Sequence, residues 1–243
     1  ATTSGRFLVR LDAQNLSSVQ LLDLGGVDSV LKNPEGGFSD WKRYGFVAYL
    51  HKIARVDMAT FPNASSVSVW DLRAAVGTGV LGFNHGFGEG FAHGRAGYVV
   101  HKAGVLVSFD LDVFSASTPH TLDLREHGLG QYDLISDVFS DRSYAYVTPF
   151  GGNAVARIGL DSFPGATPAV EWLTVFEQPS KIMAWKGFRV GSHAYLVPTD
   201  VMDGDLSAQL GRVLRFSVSP VPTCTTVSKE MADKYNAQRC LAD

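Results

Sequence analysis

The feature that most constrains this chain is that it repeats itself. Four stretches follow one pattern: "GFSDWKRYGFVAY" from Gly37, "GFAHGRAGYVVH" from Gly90, "VFSDRSYAYVTP" from Val138 and "GFRVGSHAYLVP" from Gly187. Each runs from a phenylalanine through a polar turn to a small residue and then an aromatic or apolar strand. The small residues Gly45, Gly97, Ala145 and Ala194 are 52, 48 and 49 residues apart. A second half follows the first three copies: "KIARVDMATF" with "SVSVWDL", "GVLVSFDLDVF" with "PHTLDL", and "AVARIGLDSF" with "AVEWLTV". Phe61, Phe114 and Phe163 keep step in these halves at 53 and 49 residues. "NLSSVQLLDL" at 15–24 returns as "NASSVSVWDL" at 63–72, which makes the two segments equivalent.

Short runs rich in β-branched and aromatic residues, bounded by Gly, Pro, Asp, Asn and Ser, read as strands. No unit carries a strong amphipathic helix pattern, so each reads as four antiparallel strands. One twisted four-stranded sheet cannot cover its own apolar faces, so such sheets stack face to face. Stacked around an axis they are the blades of a β-propeller. The expected fold is therefore all-β, with a propeller over residues 1–219 and a short helical tail over 220–243. The opening "GRFLVRLDAQNLSSVQLLDL" matches only the second half of a unit, as a ring-closing arrangement would leave, with the last copy supplying the inner strands. However, "GRVLRFSV" at 211–218 resembles the opening "GRFLVRLD" and competes for the same place. Four blades, five blades and part of a larger ring all satisfy the pattern, and a stack that does not close is the architectural alternative.

Units of this form, running from GF-x-D through a small-residue strand to V-R-x-D, SSV and LDL, resemble a propeller-type repeat of secreted and cell-surface proteins of algae and other protists. The resemblance covers roughly residues 5–218. It implies architecture and an extracellular or surface setting, and it implies no particular activity, because propellers carry many functions. The chain departs from the pattern where the third unit ends "LTV" and where the fourth shows no clear outer strand.

Composition narrows the function classes. The 243 residues are 45% apolar and only 19% charged, a globular composition below the usual quarter of charged residues. A net charge of −3 leaves no basic footprint for nucleic acid. No run approaches the roughly 18 apolar residues that a membrane span needs. The start "ATTSGR" lacks methionine and shows no signal peptide, which a processed N-terminus and a segment lacking the true start explain equally.

Two features point to the secretory pathway. Asn15-Leu16-Ser17 and Asn63-Ala64-Ser65 are N-glycosylation sequons at equivalent places in polar turn sequence, although a duplicated repeat copies its sequon for free. Cys224 and Cys240 flank "TTVSKEMADKYNAQR", and a bridge closing that loop would contribute about 3 kcal/mol by chain entropy. Free thiols are the alternative, and no nearby histidine completes a zinc site. The segment between them has a capping Thr226 or Ser228, with Met231 and Tyr235 on one helical face.

No catalytic constellation emerges. In "FNHGFGEGFAHG", His85, Glu89 and His93 invite a metal reading, but residues four apart on a strand lie about 13 Å apart. An inner strand whose glycines admit a neighbouring sheet accounts for the stretch. Asp200, Asp203 and Asp205 around Gly204 form a weak calcium candidate without the further ligands of a calcium loop, and an Asp-Gly turn explains them equally. There is no G-x-S-x-G elbow and no phosphate loop. Asp40 and Asp141, each after "FS", are the foremost candidates for paired carboxylates in a channel, yet their repetition argues for turn formation. No metal and no cofactor is expected.

The expected function is a noncatalytic extracellular or cell-surface module for protein interaction and assembly, with other subunits as partners. A carbohydrate-binding propeller is the first alternative, although Trp41, Trp70, Trp172 and Trp185 do not share one repeat position. A glycan-active hydrolase or lyase is the second. An enzyme would place unlike residues in the channel, a lectin would repeat a pocket, and a scaffold needs only adhesive edges and faces.

Overall fold

The computed structural model describes residues 7–11, 18–31, 34–73, 86–130, 134–141, 143–150, 154–163, 168–174, 182–190, 192–201 and 213–217. These form five antiparallel sheets in chain order. The first holds β1 (Phe7–Leu11) and β2 (Val19–Asp23). The second holds β3 (Gly36–Ser39), β4 (Tyr44–Tyr49), β5 (Lys52–Asp57) and β6 (Val67–Asp71). The third holds β7 (Phe87–His93), β8 (Ala96–His101), β9 (Val105–Asp110) and β10 (His120–Asp123). The fourth holds β11 (Ile135–Ser140), β12 (Tyr144–Pro149), β13 (Ala154–Gly159) and β14 (Val170–Thr174). The fifth holds β15 (Ile182–Val190), β16 (His193–Val201) and β17 (Leu214–Ser217).

The repeat read from sequence is a repeat of register. Gly45, Gly97, Ala145 and Ala194 all sit in second strands, opposite Ser39, Ala92, Ser140 and Arg189. The recurrent aspartates shape the turns, because a carboxylate accepts hydrogen bonds from amides two or three residues on. Asp23, Asp71 and Asp123 accept from the backbone N–H of Gly26, Arg73 and Arg125. The leucines that follow them, Leu24, Leu72 and Leu124, are thereby turned into the core and buried.

Each sheet grips the next through one apolar face. Leu22 and Leu24 of the first sheet meet Val47, Tyr49 and Val56 of the second. Phe46, Ile53 and Trp70 of the second meet Val105, Phe109 and Phe114 of the third. Tyr98 and Leu122 of the third meet Val138, Val147 and Phe163 of the fourth. Phe139, Tyr146 and Val155 of the fourth meet Ala194 and Leu196 of the fifth. The in-step phenylalanines lie within these junctions. Phe114 reaches back to Phe46 and Trp70 at 5.8 and 5.5 Å between ring centroids. Full burial of each such side chain is worth about 1.5–3 kcal/mol.

Close packing demands glycine at some inner-strand positions; in the 83–94 stretch, where the sequence led us to expect it, a Cβ on Gly90 would lie 2.5 Å from the Phe38 ring of the second sheet. A Cβ on Gly36 would lie 2.4 Å from the carbonyl oxygen of Gly88, and one on Gly187 would lie 2.3 Å from the Phe139 ring.

Among the described residues the opening half-unit does not complete the last copy. β17 pairs with β16 and takes the third place in the fifth sheet, the place that β1 holds in its own sheet. The two look-alike segments of the sequence are thus equivalent strands of different sheets. Among the described residues no strand joins the first sheet to the fifth. The tail over 220–243 lies outside the described residues.

Candidate functional site

The first strands β3, β7, β11 and β15 converge on a cavity of about 610 Å³. Aligned on the recurrent phenylalanine, the position two residues earlier is Gly36, Glu89, Asp137 and Lys186. One repeat position therefore carries an open backbone, two carboxylates and an amine. Lys186 Nζ lies 2.7 Å from Glu89 Oε1, while Glu89 Oε2 accepts from the Gly37 N–H at 3.3 Å. Asp137 Oδ2 accepts from the Gly187 N–H at 2.6 Å and its Oδ1 from the Val138 N–H at 2.8 Å.

Asp137 is only 3% exposed. Burial pushes its carboxyl up to about 6, against the pull of the Gly187 amide and the Lys186 charge. The chemical consequence is limited. Both oxygens of each carboxylate lining the cavity already accept a hydrogen bond or face an ammonium. The cluster ties sheets together, with Asp137 joining β11 to β15 and Glu89 joining β7 to both β3 and β15.

At the rim stands Trp41, 91% exposed in the β3–β4 turn. Its φ is 58°, a left-handed value that a bulky residue holds only under constraint. The constraint is Asp40, whose Oδ1 accepts from the N–H groups of Lys42, Arg43 and Tyr44, each at 2.9 Å. In the next sheet the first turn residue, with φ 60°, is Gly94. The second sheet thus spends a glycine-type position on an exposed indole.

The residues singled out in the sequence fare differently. Asp40 and Asp141 are turn formers: Asp141 Oδ1 accepts from Ser143 and Tyr144, and its Oδ2 from the Tyr146 hydroxyl. Glu89 lies in the cavity and His93 at the end of β7, while His85 lies outside the described residues. Asp200 is in β16 opposite Ala184, with Asp203 and Asp205 outside the described residues. Asn63 is exposed in a turn, its Oδ1 accepting from the Ser65 N–H at 3.1 Å. Asn15, Cys224 and Cys240 lie outside the described residues. Trp70 and Trp172 sit in outer strands, the first within the junction of second and third sheets, the second hydrogen-bonded to the His127 carbonyl. Among the described residues no group of three or more His, Cys, Asp or Glu could hold a metal ion. None of the described helices is long and apolar enough to cross a membrane. Asp137 and Lys186 were not among the sequence candidates. The column before the glycine–phenylalanine step, read down the four copies, is the signal that exposes them.

A second kind of site lies at the two ends of the stack. Opposite residues of an antiparallel pair share a face. Leu8 and Leu22 face the second sheet, whereas Phe7, Val9, Leu11, Val19 and Leu21 share the other face and are all exposed. At the far end Phe188 stacks on Tyr195 with centroids 5.3 Å apart, and Phe188 remains 46% exposed.

These features define an all-β propeller of four-stranded antiparallel blades, and comparison with solved structures gives the same class. The β-propeller domain of Swd1 (Cps50) from Myceliophteria thermophila superposes with a TM-score of 0.50 at 10% identity, covering 88% of this chain and 69% of that one. BamB from Moraxella catarrhalis gives a TM-score of 0.42 at 12% identity, covering 89% and 65%. AztD from Citrobacter koseri gives 0.46 at 8% identity, covering 88% and 54%. The chain thus spans between 54% and 69% of the length of these matched chains. No protein-family model matches the sequence, and no curated protein sequence is similar enough to count as a match.

Proposed function

We propose that this β-propeller is a noncatalytic module for protein interaction and assembly, displayed outside the cell or on its surface. The observation that carries the reading is the pair of open apolar end faces, since exposed patches of this kind mark interaction sites. The cavity supports it as well: its carboxylates are occupied in joining sheets. The secretory setting is supported by the exposed turn at Asn63, by the pairing of Cys224 with Cys240 expected from sequence, and by the resemblance to surface propeller repeats. Intact mass spectrometry of the unreduced protein from its source tests the reading. Hexose-rich mass on Asn15 or Asn63, a Cys224–Cys240 bridge and copurifying subunits are the expected result. An unmodified monomer with two free thiols would sink it.

Carbohydrate binding at the cavity rim is the second reading, and Trp41 is the observation that favours it. An exposed indole on a constrained turn offers an apolar ring face with a polar edge. Titration with oligosaccharides would then shift Trp41 fluorescence, and Trp41→Ala would weaken binding at least tenfold. An emission spectrum unchanged across a broad glycan panel excludes this reading.

A further inference from the structure

We propose that the cavity between the four first strands binds an acidic saccharide, with Trp41 against a sugar ring and Lys186 paired with a uronate carboxylate. The inference rests on the second reading above, carbohydrate binding at the rim, and names the class of sugar.

The cavity belongs to the interior of the stack, since β3, β7, β11 and β15 all line it. Its volume of about 610 Å³ is that of a small-ligand site. What it offers a ligand follows from which polar groups are already used. Glu89 has one oxygen on the Lys186 ammonium and the other on the Gly37 N–H. Asp137 has one on the Val138 N–H and the other on the Gly187 N–H. The acceptors are engaged, and the donors are not. An ammonium has three hydrogens, and Lys186 gives one to Glu89 Oε1 at 2.7 Å while its side chain stays 46% exposed. Two remain for a ligand. Ser39 Oγ accepts from the Trp41 N–H at 3.2 Å, which directs its own hydrogen elsewhere. Ser140 holds the equivalent place in the fourth sheet and also lines the cavity.

Donors beside an exposed indole select a ligand that combines oxygen acceptors with an apolar ring face. A sugar supplies both, and a uronate adds the carboxylate that one ammonium can pair. Phosphate fits less well, because its sites use the amides of a glycine nest or a helix N-terminus. The lining here is extended strand. Two groups oppose an anion. Glu89 repels it while holding Lys186 in place. Burial lifts the Asp137 carboxyl to about 6, the Glu89 charge adding to that rise while the Gly187 amide and the Lys186 charge oppose it. Below that value Asp137 is neutral and Glu89 alone repels, so a uronate binds more tightly at pH 5 than at pH 7.

Isothermal titration calorimetry on the full chain tests this with disaccharides of glucuronate, galacturonate and mannuronate, each beside its neutral hexose counterpart. At least one uronate should bind at pH 5 more tightly than its counterpart. Lys186→Gln should weaken that uronate about tenfold and leave the neutral sugar unchanged. Glu89→Gln should tighten it about fivefold, a gain that damage to the fold does not produce. Asp137→Asn should erase the difference between pH 5 and pH 7. If urea denaturation shows Lys186→Gln unfolded, Lys186→Arg takes its place and should keep the preference for the uronate. Neutral disaccharides that bind as tightly as uronates overturn the inference and leave carbohydrate binding standing. Weaker uronate binding in Glu89→Gln also overturns it. Binding of no saccharide at all overturns both, as does a hexaglutamate peptide that binds where no uronate does.

Discussion

Gly90 and Gly94 lie four residues apart and are glycine for unrelated reasons. A Cβ on Gly90 would sit 2.5 Å from both the Phe38 ring and the Tyr98 carbonyl oxygen, and the carbonyl cannot move without the sheet. Gly94 has open space around it but a φ of 60°. Gly90→Ala should therefore cost about 3 kcal/mol by overpacking. Gly94→Ala should cost only about 1 kcal/mol of left-handed strain. Urea denaturation of both variants measures the difference, and equal losses would refute the close-approach argument. Asp137 makes a prediction in pH. Its carboxyl stands at about 6 in the folded chain, against an ordinary value of 3.8. Between those values the folded chain keeps a proton that the unfolded chain has released, so this group's contribution to stability falls as pH rises from about 4 to 6. The full shift corresponds to about 3 kcal/mol. Denaturation at pH 4, 5, 6 and 7 should show that decline in wild type and not in Asp137→Asn. Parallel curves for the two proteins would rule out Asp137 as the titrating group.

At the scale of the element, the first hairpin of each sheet is the unit that repeats, and its aspartates differ in weight. Asp40 accepts three backbone hydrogen bonds in an exposed turn, whereas Asp141 accepts two and also holds the hydroxyl of the buried Tyr146. Removing Asp141 takes away two turn hydrogen bonds and the carboxylate partner of a hydroxyl inside a junction, at a cost of about 2–3 kcal/mol. Asp40→Ala should lose about 1 kcal/mol, because water replaces its partners. Thermal melts of the two alanine variants give the order, and a reversed order would mean that the Tyr146 contact contributes little. The hairpins were legible in the sequence because their constraints are local: an aspartate that turns the chain, a small residue opposite the first strand, a phenylalanine in step. The cavity was less legible. Glu89 carries a signal only as part of a histidine-flanked run, and Asp137 and Lys186 carry no local signal, because ordinary residues become a cluster only when four distant strands converge. Strand pairing at the ends was not legible at all. "GRFLVRLD" and "GRVLRFSV" carry the same signal, and both prove to be third strands.

For the whole molecule, a stack in which each sheet touches chiefly its neighbours has a stability close to a sum over sheets and junctions. The third sheet is gripped on both faces, by Phe46 and Trp70 on one side and Phe163 on the other. Among the described residues the first sheet has two strands and one covered face, and a lone two-stranded hairpin is marginal in water. Opening should therefore begin at the ends. Native-state hydrogen exchange is expected to leave the amides of β8 and β9 at least about a hundredfold better protected than those of β1 and β2. The second junction supplies much of that gap, since the Trp70, Phe109 and Phe114 rings meet edge to face within it. Exchange at one common free energy in every strand would show that the stack opens as a single unit, and counting covered faces would then explain nothing about its stability.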